Sequence, residues 1–269
     1  MIIQKKAYAK INLYLKILNK LPSGYHNIYT IMQKISLCDD IIININPSDT
    51  QNINIICNDK AIPTDKNNTV YKSAELFFER ANVSVDIEIT IDKKIPSQAG
   101  LGGGSSDAGA VLLGLNEYYN FILSETDLIE IAAKIGADVP FFAKNANCAI
   151  CEGIGEIVTP YYIDLSGLLC LIVKPAYNIS TKQAYEDWDR FNKSNKFKND
   201  FTALAFSQNN NLKMIRDLIL DSGASESELS GSGSALFGIF DNPENAEKCQ
   251  KIINQQNDIE FCNIFKFLC

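Results

Sequence analysis

Apolar and polar positions alternate with period two through much of the first ninety residues. Ala9, Ile11, Leu13, Leu15 and Ile17 alternate with Lys10, Asn12, Tyr14 and Lys16, the pattern of a strand with one apolar face. Val83, Val85, Ile87, Ile89 and Ile91 repeat it. Shorter apolar runs predict strands at 31–37, 41–45 and 53–56. Elsewhere the period lengthens to that of a helix. One helix is predicted after Asn68 or Thr69, with Val70, Ala74, Phe77 and Ala81 on its buried face. Ala108, Val111, Leu112 and Leu115 mark a second. A third starts at the capping box Ser124–Asp127 and runs to Gly136, a residue suited to end a helix in the left-handed region. Asp138 follows at once, and Pro140 suits the first turn of a short helix.

The second half mixes both periods. A strand over 168–173 ends at Lys174 and Pro175. Thr181 can cap a helix bearing Ala184, Tyr185, Trp188 and Phe191. A polar loop rich in lysine and asparagine is expected over 192–200. A helix with Leu212, Ile215, Leu218 and Ile219 should stop at Gly223, and a glycine-serine loop, Leu229–Ser234, should lead into a strand over 235–240. A helix over 243–256 and a strand near 259–267 close the chain. Such mixing predicts α+β packing in both halves. A boundary near residue 155 would give units 1–155 and 156–269.

Composition narrows the partners. The 269 residues are 46% hydrophobic and 21% charged, enough for one large or two ordinary domains. With a net charge of −7, nucleic acid and anionic membranes are poor partners. A phosphate ligand would have to be held by local donors and lysines. No apolar run is long enough to span a bilayer, and the first residues have no signal-peptide core, so a cytoplasmic location is expected. Eight cysteines are scattered, and Cys148-x-x-Cys151 lacks the further ligands a zinc site needs, which points to reduced, buried thiols. The single histidine, His26, excludes multi-histidine metal sites and by itself reads as structural.

The densest chemical signal lies between a predicted strand and a predicted helix. It reads Pro96, Ser97, Gln98, Ala99, Gly100, Leu101, Gly102, Gly103, Gly104, Ser105, Ser106. Three adjacent glycines cost roughly 1 kcal/mol each in regular structure, more than a bare connection warrants. Glycines let backbone N–H groups approach a ligand, and a helix N-terminus adds its dipole, so an anion such as phosphate is expected. Ser105 or Ser106 can cap the helix. The loop lacks the lysine of the P-loop, and serine stands where the dinucleotide fingerprint needs glycine. A protein-kinase glycine loop lies between strands rather than before a helix.

The pattern P-x-x-x-G-L-G-x-x-S-S resembles the ATP loop of the GHMP kinases. Ala9–Leu13, Gly24–His26, Gly100–Asp107 and Gly136–Pro140, in that order, resemble one branch of them. That branch phosphorylates 4-diphosphocytidyl-2-C-methyl-D-erythritol in the non-mevalonate isoprenoid pathway. The resemblance runs from about residue 8 to about 240; the N-terminal signature of galactokinases is absent. It implies a ribosomal-protein-like first domain and a ferredoxin-like second one, with the site between them. It implies transfer of phosphate from ATP to the 2-hydroxyl of that cytidyl compound. Asp138 would accept the hydroxyl proton, Lys10 would offset charge on the moving phosphoryl group, and Asn12 would help hold the hydroxyl. Residues 96–106, with Asn68 and Lys93, would hold ATP. Tyr25 and Tyr185 would flank cytosine, His26 its edge, and Thr181 would lie beside the cytidyl group. The branch often has phenylalanine at 185. The Ser230–Ser234 loop would face the ATP loop. Mg²⁺ would arrive as the ATP complex, with Ser106 a candidate ligand and no acidic cluster to hold it.

Taken alone, the same residues read differently. Lys10 and Asn12 are an ordinary solvated pair on a strand, Asp138 a helix cap, Tyr185 a core residue. Two further readings stand beside the first: another small-molecule GHMP kinase, such as a mevalonate or homoserine type, or a nucleotide-binding module without catalysis. Nothing in the sequence specifies an oligomeric state.

Overall fold

The computed structural model describes residues 2–48, 50–191 and 196–269. The long hairpin of β1 (Ile2–Lys20) and β2 (His26–Pro47) starts the chain. The two predicted runs 31–37 and 41–45 are one strand. The polar Cys38-Asp39-Asp40 between them does not break it, because buried Asp39 receives the backbone N–H groups of Lys94 and Ile95 and the ammonium of Lys93. With β3 (Asn52–Cys57), β4 (Val85–Asp92), β5 (Cys148–Glu152) and β6 (Ile157–Pro160), the hairpin builds a six-stranded sheet. The order is β3-β4-β2-β5-β6, with β1 on β2. The register of β1 against β2 shifts between Tyr8 and Lys10 and again between Asn12 and Tyr14. Such irregularities bend a strand and re-aim its side chains, here on either side of Lys10 and Asn12.

Four helices pack on this sheet: α1 (Thr69–Ala81), α2 (Gly103–Tyr118), α3 (Glu125–Ile135) and α4 (Val139–Ala143). Ile41, Ile43, Ile87 and Ile89 meet Phe77, Val111, Leu112 and Leu115 in one core. Asn68 caps α1, and the Ser124–Asp127 capping box opens α3, both as the sequence suggests. Three details differ. Gly136 ends α3 with φ 178°, extended backbone that any residue can adopt, so its left-handed freedom is not used. Neither serine caps α2; Gly102 holds the cap position at φ 71°, and Ser106 instead donates its hydroxyl to Tyr8 O. Asp138 stands at the cap position of α4 but makes no side-chain capping bond.

The second half forms a four-stranded sheet, β10-β7-β9-β8, from β7 (Leu169–Pro175), β8 (Glu226–Leu229), β9 (Leu236–Phe240) and β10 (Ile259–Lys266). Its helices are α5 (Thr181–Arg190), α6 (Phe201–Gln208), α7 (Asn210–Asp221) and α8 (Pro243–Ile253). Ser180 rather than Thr181 caps α5. The expected polar loop lies in part outside the described residues, at 192–195, and α6, which lacks a clear apolar face, follows it. The hairpin β5–β6 spans the region near residue 155 where the sequence suggests a domain boundary. By strand pairing the first sheet ends at Pro160 and the second begins at Leu169. A shared core of Ala9, Ile11, Leu101, Ile172, Phe237 and Ile239 joins the halves. The α+β class is borne out in both.

All eight cysteines are free. Burial pushes the thiols of Cys148 and Cys151 up to about 11 and about 12, which keeps them protonated and unreactive. Among the described residues, no helix is long and apolar enough to cross a membrane.

Candidate active site

A cleft of about 1150 Å³ lies between the halves, lined from both. The glycine loop forms one wall: Pro96, Ser97, Gln98, Ala99, Gly100, Leu101, Gly102, Gly103, Gly104 and Ser105 all face it. Because no side chain caps α2, the first N–H groups of that helix are left to whatever anion enters. Ser106 is different. It is buried, its hydroxyl is engaged by Tyr8 O, and it is not on the cleft wall. It is therefore poorly placed as a metal ligand.

The loop is held from two sides. Lys10 N–H donates to Leu101 O at 2.9 Å, tying it to β1. Across the interface, Ser230 Oγ donates to Gly100 O at 3.0 Å and Ala235 N–H to Ala99 O at 3.1 Å. The Ser230–Ser234 loop thus faces the glycine loop, as expected. Gly100 is needed there: at φ 75°, a Cβ on it would sit 2.0 Å from Ser230 O.

Lys10 and Asp138 come together beneath this loop. Lys10 Nζ lies 3.4 Å from Asp138 Oδ2 and donates to Asn12 Oδ1 at 2.5 Å. Asn12 Nδ2 donates in turn to Thr30 Oγ1 at 2.7 Å, and Thr30 donates to Tyr14 O. Lys10 is 3% and Asn12 1% exposed, so they are not the solvated strand pair their pattern suggests. Sequence reasoning missed Thr30, which fixes Asn12. Its only signal was a hydroxyl in an apolar strand, and that signal is common.

Lys93 and Asn68 also line the cleft. Asn68 is engaged by its own loop: Nδ2 donates to Pro63 O at 2.6 Å, and Oδ1 accepts from Val70 N–H. Lys93 Nζ sits between Asp39, at 2.5 Å, and Asp107, at 2.8 Å. Asp107 Oδ1 is buried without a hydrogen-bond partner. Burial, and secondarily the nearby Asp39 charge, push Asp107 up to about 7 against the pull of Lys93. Burial disfavours the Lys93 ammonium, but the two carboxylates outweigh it and raise its pKa. No local pattern links Asp39 with Asp107, which are far apart in the chain.

Another part of the cleft is aromatic. Tyr25 is 62% exposed, at the tip of the first hairpin. His26 stacks on Tyr185, with ring centroids 4.9 Å apart and planes at 18°, and meets Trp188 edge-on. Tyr185 is therefore a cleft residue that also packs edge-on against Phe201, not simply core. Thr181 Oγ1 lies 3.0 Å from Ser232 Oγ, linking α5 to the second glycine loop. Asp189, which sequence reasoning did not single out, bonds both His26 and Lys20 here. The structure thus gathers Lys10, Asn12 and Asp138 in one cluster and sets His26 on Tyr185 in another, with Tyr25 next to His26 in the chain and Thr181 against Ser232.

This architecture has relatives. The GHMP kinases N terminal domain family matches residues 68–145, and the GHMP kinases C terminal family matches residues 180–259. A 4-diphosphocytidyl-2-C-methyl-D-erythritol kinase from Clostridium novyi (strain NT) is 37% identical over 94% of this chain and 97% of its own length. One of the same name from Caldicellulosiruptor bescii is 41% identical over 90% of this chain and 91% of its own. The crystal structure of a 4-(cytidine 5'-diphospho)-2C-methyl-D-erythritol kinase superposes with a TM-score of 0.80 at 26% identity, covering 98% of this chain and 99% of that one. A glycine loop opening a helix, a lysine–aspartate pair beneath it and these full-length likenesses agree: the chain belongs to the 4-diphosphocytidyl-2-C-methyl-D-erythritol kinase family of GHMP kinases, small-molecule kinases that use ATP.

Proposed function

We propose that this chain transfers the γ-phosphoryl group of ATP to the 2-hydroxyl of 4-diphosphocytidyl-2-C-methyl-D-erythritol, giving the 2-phosphate and ADP. The observation that carries the mechanism is the Lys10–Asp138 pair, 3.4 Å apart beneath an uncapped helix N-terminus. The hydroxyl oxygen attacks the γ-phosphorus, the bond to the β-phosphate oxygen breaks, and ADP leaves. Asp138 takes the hydroxyl proton; its lack of a capping bond leaves its carboxylate oxygens for this. Lys10 balances charge on the moving phosphoryl group, and Asn12, held by Thr30, orients the alcohol. The open N–H groups of the glycine loop and α2 bind the phosphates. Lys93 and Asn68 shape the nucleotide's wall.

Mg²⁺ enters as the ATP complex. Among the described residues, no three carboxylate, imidazole or thiolate groups gather to hold an ion, so its ligands would come chiefly from the phosphates. At the other end, Tyr25 and Tyr185 flank cytosine, with His26 at its edge and Thr181 beside the cytidyl group. The reaction is read as cytoplasmic, with small molecules rather than nucleic acid or membrane as partners; the net charge of −7 favours neither polyanion.

An ADP-release assay with a panel of alcohols tests this. Turnover is expected with the cytidyl compound and not with mevalonate, homoserine or galactose. Preferred turnover of any of the last three would reassign the substrate and leave a different small-molecule kinase.

A further inference from the structure

His26 Nε2 lies 2.7 Å from Asp189 Oδ1 on α5, and Lys20 on β1 holds Asp189 Oδ2 at 2.5 Å. The His26 side chain is 3% exposed and fixed by the stack on Tyr185 and the edge of Trp188, so its ring cannot turn freely. Among the described residues, none bonds Nδ1, and His26 lines the cleft. We propose that Asp189 is a positioning residue for base selection: it holds the proton of His26 on Nε2 and so makes Nδ1 an acceptor for the exocyclic amino group of a cytosine in the cleft.

The chemistry follows from the donor inventory. A carboxylate only accepts, so the ring nitrogen facing it must carry the hydrogen. Lys20, and secondarily His26, hold the Asp189 carboxyl below its usual range, which keeps it ionised. In the neutral ring the second nitrogen then has a lone pair and no proton. Cytosine offers an amino group at C4, whereas uracil offers a carbonyl oxygen there. Uracil would set two lone pairs against each other and, by displacing water, leave the acceptor without a donor. Stacking cannot make this distinction, because every base has a π-face. The selection is built across the cleft, since His26 begins β2 in the first half and Asp189 lies on α5 in the second.

This rests on the cytidyl reading above, and the test separates the two. The chain has one histidine, so ¹⁵N-histidine labelling reports His26 alone. At pH 8.5, a two-bond nitrogen–proton spectrum of the parent should show hydrogen on Nε2 and none on Nδ1. In Asp189→Asn, whose amide can also donate, the two tautomers should mix. The preference in kcat/KM for the cytidyl substrate over its uridyl counterpart should fall about tenfold or more, with KM for ATP unchanged. Asp189→Glu, which keeps the charge, should retain more of the preference, and it carries the comparison if Asp189→Asn does not fold. Hydrogen on Nδ1 in the parent, or an unchanged base preference in a folded Asp189→Asn, would overturn the proposal. If the parent turns over neither nucleotide substrate, the cytidyl reading fails with it, and the tautomer spectrum alone decides whether Asp189 sets the ring.

Discussion

The two ends of the cleft are built on opposite plans. At the end proposed for phosphoryl transfer the polar groups are mostly withdrawn from water: Lys10 and Asn12 are almost fully buried, Lys93 is bracketed by two carboxylates, and only Asp138 stays partly exposed. Burying such groups costs several kcal/mol per ion unless partners compensate, and here the partners come from the same half of the chain. At the end proposed for the base the groups are mostly aromatic, Tyr25 is largely exposed, and the contacts join the two halves. Chemistry that depends on charge placement needs a rigid, precompensated setting. Holding a flat base needs surfaces that close on it, with a single fixed edge contact to select it. The first end should therefore govern turnover and ATP binding, and the second the affinity for one substrate.

That division can be broken by mutation. The largest effect is expected for Asp138→Asn, which should lower kcat by roughly 10² or more while calorimetry still detects ATP binding. Turnover within threefold of the parent would reduce Asp138 to a position in a turn. Gly103→Val comes next. A Cβ at Gly103 would already sit 3.1 Å from Lys93 Nζ and from Ile95, so a branched side chain must displace the ammonium or the loop. ATP affinity should fall at least about tenfold, with binding of the cytidyl substrate retained. Equal loss of both ligands would mean that the two ends are not independent.

Tyr25→Ala sharpens the comparison from the other side. Loss of one stacking partner should raise KM for the cytidyl substrate roughly tenfold to a hundredfold, with KM for ATP nearly unchanged. The exposure of Tyr25 predicts little change in thermal midpoint. A destabilised protein with normal KM would remove Tyr25 from the site.

The smallest effect concerns the buried charges. Asp107 is raised to about 7 in the folded chain, above its value in an unfolded one. A raised group keeps its proton when folded and loses it when unfolded, so its contribution to stability is full at low pH and is lost as pH rises toward 7. Asp107→Asn has no such proton to lose. Between pH 4 and pH 8, the parent should lose about 1 kcal/mol or more of stability relative to this variant, measured from urea midpoints. Parallel curves would show that Lys93 fully neutralises Asp107.

Much of the frame was legible because it repeats locally. The strand of Ala9–Ile17, the Asn68 cap, the Ser124–Asp127 box and the glycine loop each rest on a few neighbouring residues, and each stands where the pattern puts it. The short elements β5, β6, β8 and α6 escaped because four to eight residues carry too little periodicity. Misreadings had local causes too. Serines in the first turn of α2 looked like caps, but Gly102 takes the left-handed cap position, and Ser106 finds an acceptor in Tyr8 O on β1.

The sequence by itself determined the strand and helix faces, the glycine turn that opens a helix and the presence of a lysine, an aspartate and several aromatics in order along the chain. Only the tertiary structure decided which of them work together. It set Lys10 against Asp138, paired Lys93 with Asp39 and Asp107, and placed His26 between Tyr185 and Asp189. Periodicity reports which face of an element is buried, because that depends on neighbours three or four residues away. It carries no information on which distant element covers that face, and the charges and rings of this site meet only across that distance.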